Sequence, residues 1–185
     1  MNIGESLPRN VQHFADKRAI VDAQRTVTYR QLHERTNRLA NYLLNRGIGK
    51  GDLVGISVGS RAEHFEALFA LAKIGAVAIP FDFNWSAQEC EAMLRFFQPK
   101  AFFLEARSET ESLLTSAREH IENDKLVVVT GTENHAGVAF EFAIAGGDSN
   151  EPQVHLDGLD PFLLMITSGT TGFPKACSIN HDTYA

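Results

Sequence analysis

The chain has 185 residues, of which 44% are hydrophobic and 22% charged, and its formal net charge is −6. Those values predict a globular domain with a sizeable buried core, and a negative balance without any Lys/Arg run excludes nucleic acid as the expected partner. No apolar run approaches the ~18 residues of a membrane span. Residues Met1–Ser6 lack a signal segment, and Cys90 and Cys177 form neither a disulfide framework nor a metal spacing, so a cytoplasmic location is expected.

Helix starts are the first elements to read. Thr28 with Gln31, Ser86 with Glu89, and Ser108 with Glu111 each fit the reciprocal capping box. After Thr28, residues Tyr29, Leu32, Leu39, Ala40, Leu43 and Leu44 mark one helical face, and Gly47 is placed to end that helix. Short apolar runs at Leu53–Val58, Ala76–Pro80, Ala101–Leu104 and Leu126–Val129 recur about every 24 residues, enough for a strand, a helix and two short loops. The repeat predicts an α/β fold: a mainly parallel β-sheet flanked by helices. Residues Gly131–Leu159 are rich in Gly, Asp and Asn and predict a loop-rich connection with weak strands at best. A further helix starts near His181 with no cap, glycine or proline to close it, so the sequence reads as the amino-terminal piece of a longer chain.

Several motifs have competing interpretations. Gly47-Ile48-Gly49-Lys50-Gly51 follows a helix rather than a strand, so helix termination explains it better than nucleotide binding. Gly55-Ile56-Ser57-Val58-Gly59 matches the nucleophile elbow of α/β serine hydrolases, with Asp124 and His135 or His155 as nominal partners for Ser57. Ile56 and Val58 nevertheless flank Ser57 in apolar alternation, which predicts a mid-strand serine. The seven histidines show no metal spacing; His64, beside Glu63 and Glu66, predicts an exposed charged face, and His181 predicts packing at a helix start. Phe96-Phe97 and Phe102-Phe103 read as core packing between helix and sheet.

The most informative stretch follows the apolar run Phe162-Leu163-Leu164-Met165-Ile166. It reads Thr167-Ser168-Gly169-Thr170-Thr171-Gly172-Phe173-Pro174-Lys175. Glycines let backbone N–H groups converge on an anion, hydroxyls add donors, and the lysine supplies a point charge, a combination suited to phosphate oxygens. A Walker loop is excluded letter by letter, since Pro174 precedes Lys175 and Ala176 follows it where a Ser or Thr would be needed. Residues 176–180 look like a strand. The expectation is therefore a hairpin, with strands at Phe162–Ile166 and Cys177–Ile179 and the loop as its wide turn.

That stretch closely resembles the T-S-G-T-T-G-x-P-K-G motif of the adenylate-forming superfamily, the AMP-dependent acyl-CoA synthetases and ligases, departing from it at Ala176. In the family's order come three more elements: Thr26–Leu32 is similar to T-Y-x-E-L, Gly51–Ile56 to G-D-x-V-x-I, and Leu71–Asp82 to L-K-A-G-A-x-x-V-P-L-(D/N). The resemblance implies that residues 1–185 are the first part of the large N-terminal adenylation domain of an acyl-CoA synthetase-like fold. It implies ATP, Mg2+ and coenzyme A as substrates and cofactors of the full-length enzyme, with a small carboxylic acid as the partner molecule. Thr167, Ser168, Gly169, Thr170, Thr171, Gly172 and Lys175 would hold the phosphates. No catalytic residue would lie in this stretch, because the family's catalytic lysine belongs to a C-terminal domain. The resemblance also leaves open a truncated, non-catalytic fragment, whose uncovered sheet edge is expected to favour self-association.

Overall fold

The computed structural model describes residues 2–121, 126–131, 137–167 and 175–184. A 3-10 turn over Ile3–Glu5 and helix α1 (Ser6–Phe14) lead into a small antiparallel hairpin of β1 (Arg18–Val21) and β2 (Thr26–Thr28). Helix α2 (Tyr29–Leu44) follows. Strands and helices then alternate: β3 (Leu53–Ser57), α3 (Ala62–Ile74), β4 (Val77–Pro80), α4 (Ala87–Phe97), β5 (Ala101–Glu105), α5 (Glu111–His120), β6 (Val127–Thr130), β7 (Val138–Ala139) and α6 (Phe140–Ala145). The chain finishes with β8 (Pro161–Thr167), β9 (Lys175–Asn180) and α7 (His181–Tyr184).

Among the described residues, seven strands form one sheet in the order β7-β6-β5-β3-β4-β8-β9. Every neighbouring pair is parallel except β8 with β9. The expected mainly parallel α/β fold is therefore present. Helices cover the parallel strands, which is why those strands read as continuous apolar runs rather than alternating ones. Phe102, Phe103, Leu104, Val127 and Val128 are fully buried, as are Leu71 and Ile74 of α3. Gly55 is needed in β3 for a packing reason: a Cβ there would lie 2.2 Å from the Phe102 ring.

Local chemistry fixes the helix starts. The Thr28 hydroxyl accepts the Gln31 N–H at 3.3 Å while the Gln31 side chain accepts the Thr28 N–H at 2.9 Å. Ser86 and Glu89 repeat this pairing at α4. Each box satisfies two donors that a helix amino terminus would otherwise leave open. The third expected box is replaced by another arrangement. The chain turns through 3-10 geometry over Ser108–Thr110, and Thr110 donates its hydroxyl to the Glu105 carbonyl at 2.7 Å, so α5 starts at Glu111.

Three further expectations need correction. The connection from Gly131 to Leu159 contains α6, whose Phe140, Ala143 and Ile144 are buried. Its later part is tied down by helix α2: Asn37 donates to the Ser149 carbonyl, and Asn41 to those of Asp148 and Asn150. Glu63 and Glu66 do not form an exposed face beside His64. Glu66 is fully buried and is gripped by Arg35 at 2.7 Å and Arg25 at 3.0 Å. Phe97, Phe102 and Phe103 are core residues, but Phe96 is 60% exposed.

Candidate functional site

The β8–β9 hairpin flanks the candidate site. Its ladder pairs Thr167 with Lys175, Ile166 with Ala176, Met165 with Cys177, Leu164 with Ser178 and Leu163 with Ile179. The two strands expected from the apolar runs are thus present, and no helix opens at Lys175. Ser168, Gly169, Thr170, Thr171 and Gly172, with Phe173 and Pro174, lie outside the described residues. The structure places their two flanks, Thr167 and Lys175, opposite one another across the ladder. Ala176 sits within the strand, and among the described non-glycine residues only Gln98 has a positive φ. The alanine therefore pays no left-handed backbone penalty for replacing the family's glycine.

Because β8 runs parallel to β4, the hairpin turn leaves the sheet at the carboxyl ends of the parallel strands. Open parallel sheets bind ligands along that margin. The same margin holds a charged cluster that the sequence did not announce. Glu105, nearly buried at the end of β5, accepts the Gly59 N–H at 2.9 Å, and Arg61 and Arg107 close on it at 3.2 and 2.9 Å. Burial opposes its charge, yet the Gly59 N–H and the two guanidinium groups hold its carboxyl below the usual glutamate range. Arg107 also lies over the Phe83 ring, 4.9 Å from its centre. The one legible signal was a carboxylate ending the apolar run Ala101–Leu104.

The base of the hairpin is fixed independently of the loop. His181 and Asp182 donate their backbone N–H groups to the carbonyls of Asp160 and Gly158. Lys50 pairs with Asp160 at 2.6 Å, and its ammonium holds the Asp160 carboxyl below the usual range. His181 is fully buried against Phe162, as its packing role predicted.

Ser57 does not form a nucleophile elbow. It is the last residue of β3 rather than mid-strand, but its hydroxyl is buried, and four residues separate it from α3. The nearby His64 ring bonds the Val58 carbonyl at 2.9 Å, not Ser57. Asp124 and His135 lie outside the described residues. Among the described residues no group of three or more His, Cys, Asp or Glu side chains could hold a metal ion, and no helix is long and apolar enough to cross a membrane.

A mainly parallel sheet closed by an antiparallel hairpin defines an α/β protein, and comparison with known proteins specifies its family. The chain belongs to the family of AMP-binding enzymes, whose profile matches residues 7–185. It is 34% identical to YdaB of Bacillus subtilis (strain 168) over 163 residues, which cover 88% of this chain and 32% of YdaB. It is 29% identical to a medium/long-chain-fatty-acid–CoA/3-oxocholest-4-en-26-oate–CoA ligase of Mycobacterium marinum, covering 98% of this chain and 34% of that enzyme. Among solved structures, the anthranilate CoA ligase AuaEII in complex with anthranoyl-AMP superposes with a TM-score of 0.86 at 26% identity, over 100% of this chain and 35% of that one. The chain thus spans about a third of the length of these relatives.

Proposed function

We propose that this chain is the first part of an adenylation domain, in an enzyme that activates a carboxylic acid with ATP as an acyl-adenylate and passes the acyl group to a thiol, coenzyme A in the first instance. The observation that carries the reading is the β8–β9 ladder, which brings Thr167 and Lys175 together at the two ends of the Ser/Thr/Gly turn. Two charge problems oppose the first step: a carboxylate must approach a polyanion, and pyrophosphate must leave. Oriented donors and a fixed positive charge on the β- and γ-phosphates relieve both. Thr167, Ser168, Gly169, Thr170, Thr171 and Gly172 would supply the donors, and Lys175 the charge. Mg2+ would accompany ATP as its counter-ion. A thiol co-substrate and an acid chemically like those of the named relatives complete the proposal, with the cytoplasm as its compartment.

Titration calorimetry with inorganic pyrophosphate tests the phosphate role. Lys175→Ala is expected to weaken binding by about 1–3 kcal/mol, roughly 5- to 150-fold in Kd, and Thr170→Ala with Thr171→Ala to weaken it further. Unchanged affinity in both variants would overturn the assignment.

A further inference from the structure

The ring of His181 does more than fill space beside Phe162. Its Nδ1 accepts the backbone N–H of Ile3 at 3.3 Å, a contact between opposite ends of the chain. A nitrogen that accepts must carry a lone pair, so the neutral ring keeps its proton on Nε2. Nε2 is buried and has no hydrogen-bond partner among the described residues. The ring is thus committed to a single tautomer by one contact. The turn it holds is wedged on its other side: a Cβ on Gly4 would lie 3.1 Å from the Lys73 backbone of α3. Ile3–Glu5 therefore straps α3 to the hairpin base, with His181 as the buckle.

We propose that His181 is a pH-sensitive latch: its neutral ring docks the amino-terminal turn onto the base of the β8–β9 hairpin, and protonation releases that turn. A protonated ring has N–H on both nitrogens, so Nδ1–H would face the Ile3 N–H, two donors with no acceptor between them. The surroundings do not rescue the charge. Burial disfavours it most, and the α-amino charge of the chain adds to this, while Asp160, Asp182 and Glu5 favour it without compensating fully. Asp160 is already paired with Lys50. From α3, Lys73 brings a further cation, and the carboxylate of Glu151 is already paired with it. The sign follows. Above the ordinary histidine value of 6.5 the ring is neutral in the folded and unfolded chain alike; below it the unfolded chain takes the proton first, and the docked state loses stability as pH falls. The latch stands on the hairpin base alone and is independent of any phosphate role for the turn.

Nitrogen-15 NMR of the 185-residue chain, with hydrogen exchange of the Ile3 amide, provides the test. The His181 ring should show a protonated Nε2 and an unprotonated Nδ1 at about pH 8. The protection factor of Ile3 should fall about tenfold or more, relative to a core amide such as Val128, between about pH 7.5 and about pH 5. His181→Asn keeps an acceptor near the Nδ1 position and cannot ionise, so it should hold Ile3 with no such fall. A proton on Nδ1, or pH-independent protection in the parent chain, would overturn the latch. So would an equal fall in the asparagine variant. The two measurements on the parent chain decide the matter even if that variant fails to fold.

Discussion

Glu66 is buried where no carboxylate could stay charged without partners. Arg35 grips it through two nitrogens and also pairs with Glu141, while Arg25 closes from the β1–β2 turn. Burial works against the Arg35 charge, and the bonds to Glu141 and Glu66 more than offset it, raising its pKa. Removing one member of a buried ion network strands the others, typically at a cost of about 3–5 kcal/mol. Glu66→Ala is therefore expected to destabilise the chain by about 3 kcal/mol, the lower figure because Glu141 still neutralises Arg35. Urea unfolding measures it, and a loss below about 1 kcal/mol would show that the network contributes little. None of this was legible beforehand. Charges at positions 63 and 66 read as a solvated helix face, because periodicity reports which residues share a face and not what packs on it. Arg35 and Arg25 come from distant segments, as do Gly59 and Arg61 around Glu105.

Elements were more legible than their partners, since their causes are local. The boxes at Thr28 and Ser86 form as read because each needs only four consecutive residues. Thr28→Ala should cost about 1 kcal/mol in thermal or urea unfolding, and Thr28→Ser should recover most of it. If both variants match the parent, tertiary contacts alone hold the start of α2. Helix α6 escaped notice because six residues are too few to establish a period. At the hairpin, the apolar runs on either side of the turn located both strands, and the failed Walker match excluded a helix. The turn itself reads as a motif, and its residues 168–174 lie outside the described ones. The carboxyl-end cluster beside it was not, since topology alone brings β3 and β5 together.

The whole molecule shows a consequence that no single element carries. β9 is the outer strand of the seven-stranded sheet, and Lys175, Ala176, Cys177 and Ser178 are exposed along it. An outer strand presents a row of backbone donors and acceptors that another chain can pair with. The chain is therefore expected to self-associate as its concentration rises, seen as growing mass in light scattering. Ser178→Lys, which places a charge on that edge, should shift it toward the monomer. A monodisperse parent chain at high concentration would contradict this.

The strand order also sets a timetable. β4 is made early, yet its outer neighbour is β8, and Ala78 meets Leu163 only about 85 positions later. In the interval the chain turns back across β3 to build β5, β6 and β7 on the other side. At the pace of synthesis, about 5–20 residues per second, the edge of β4 waits on the order of ten seconds for its neighbour. A growing chain of this topology is thus most vulnerable to misassembly before its β8–β9 hairpin exists, and chaperones that shield apolar strands would act in that interval.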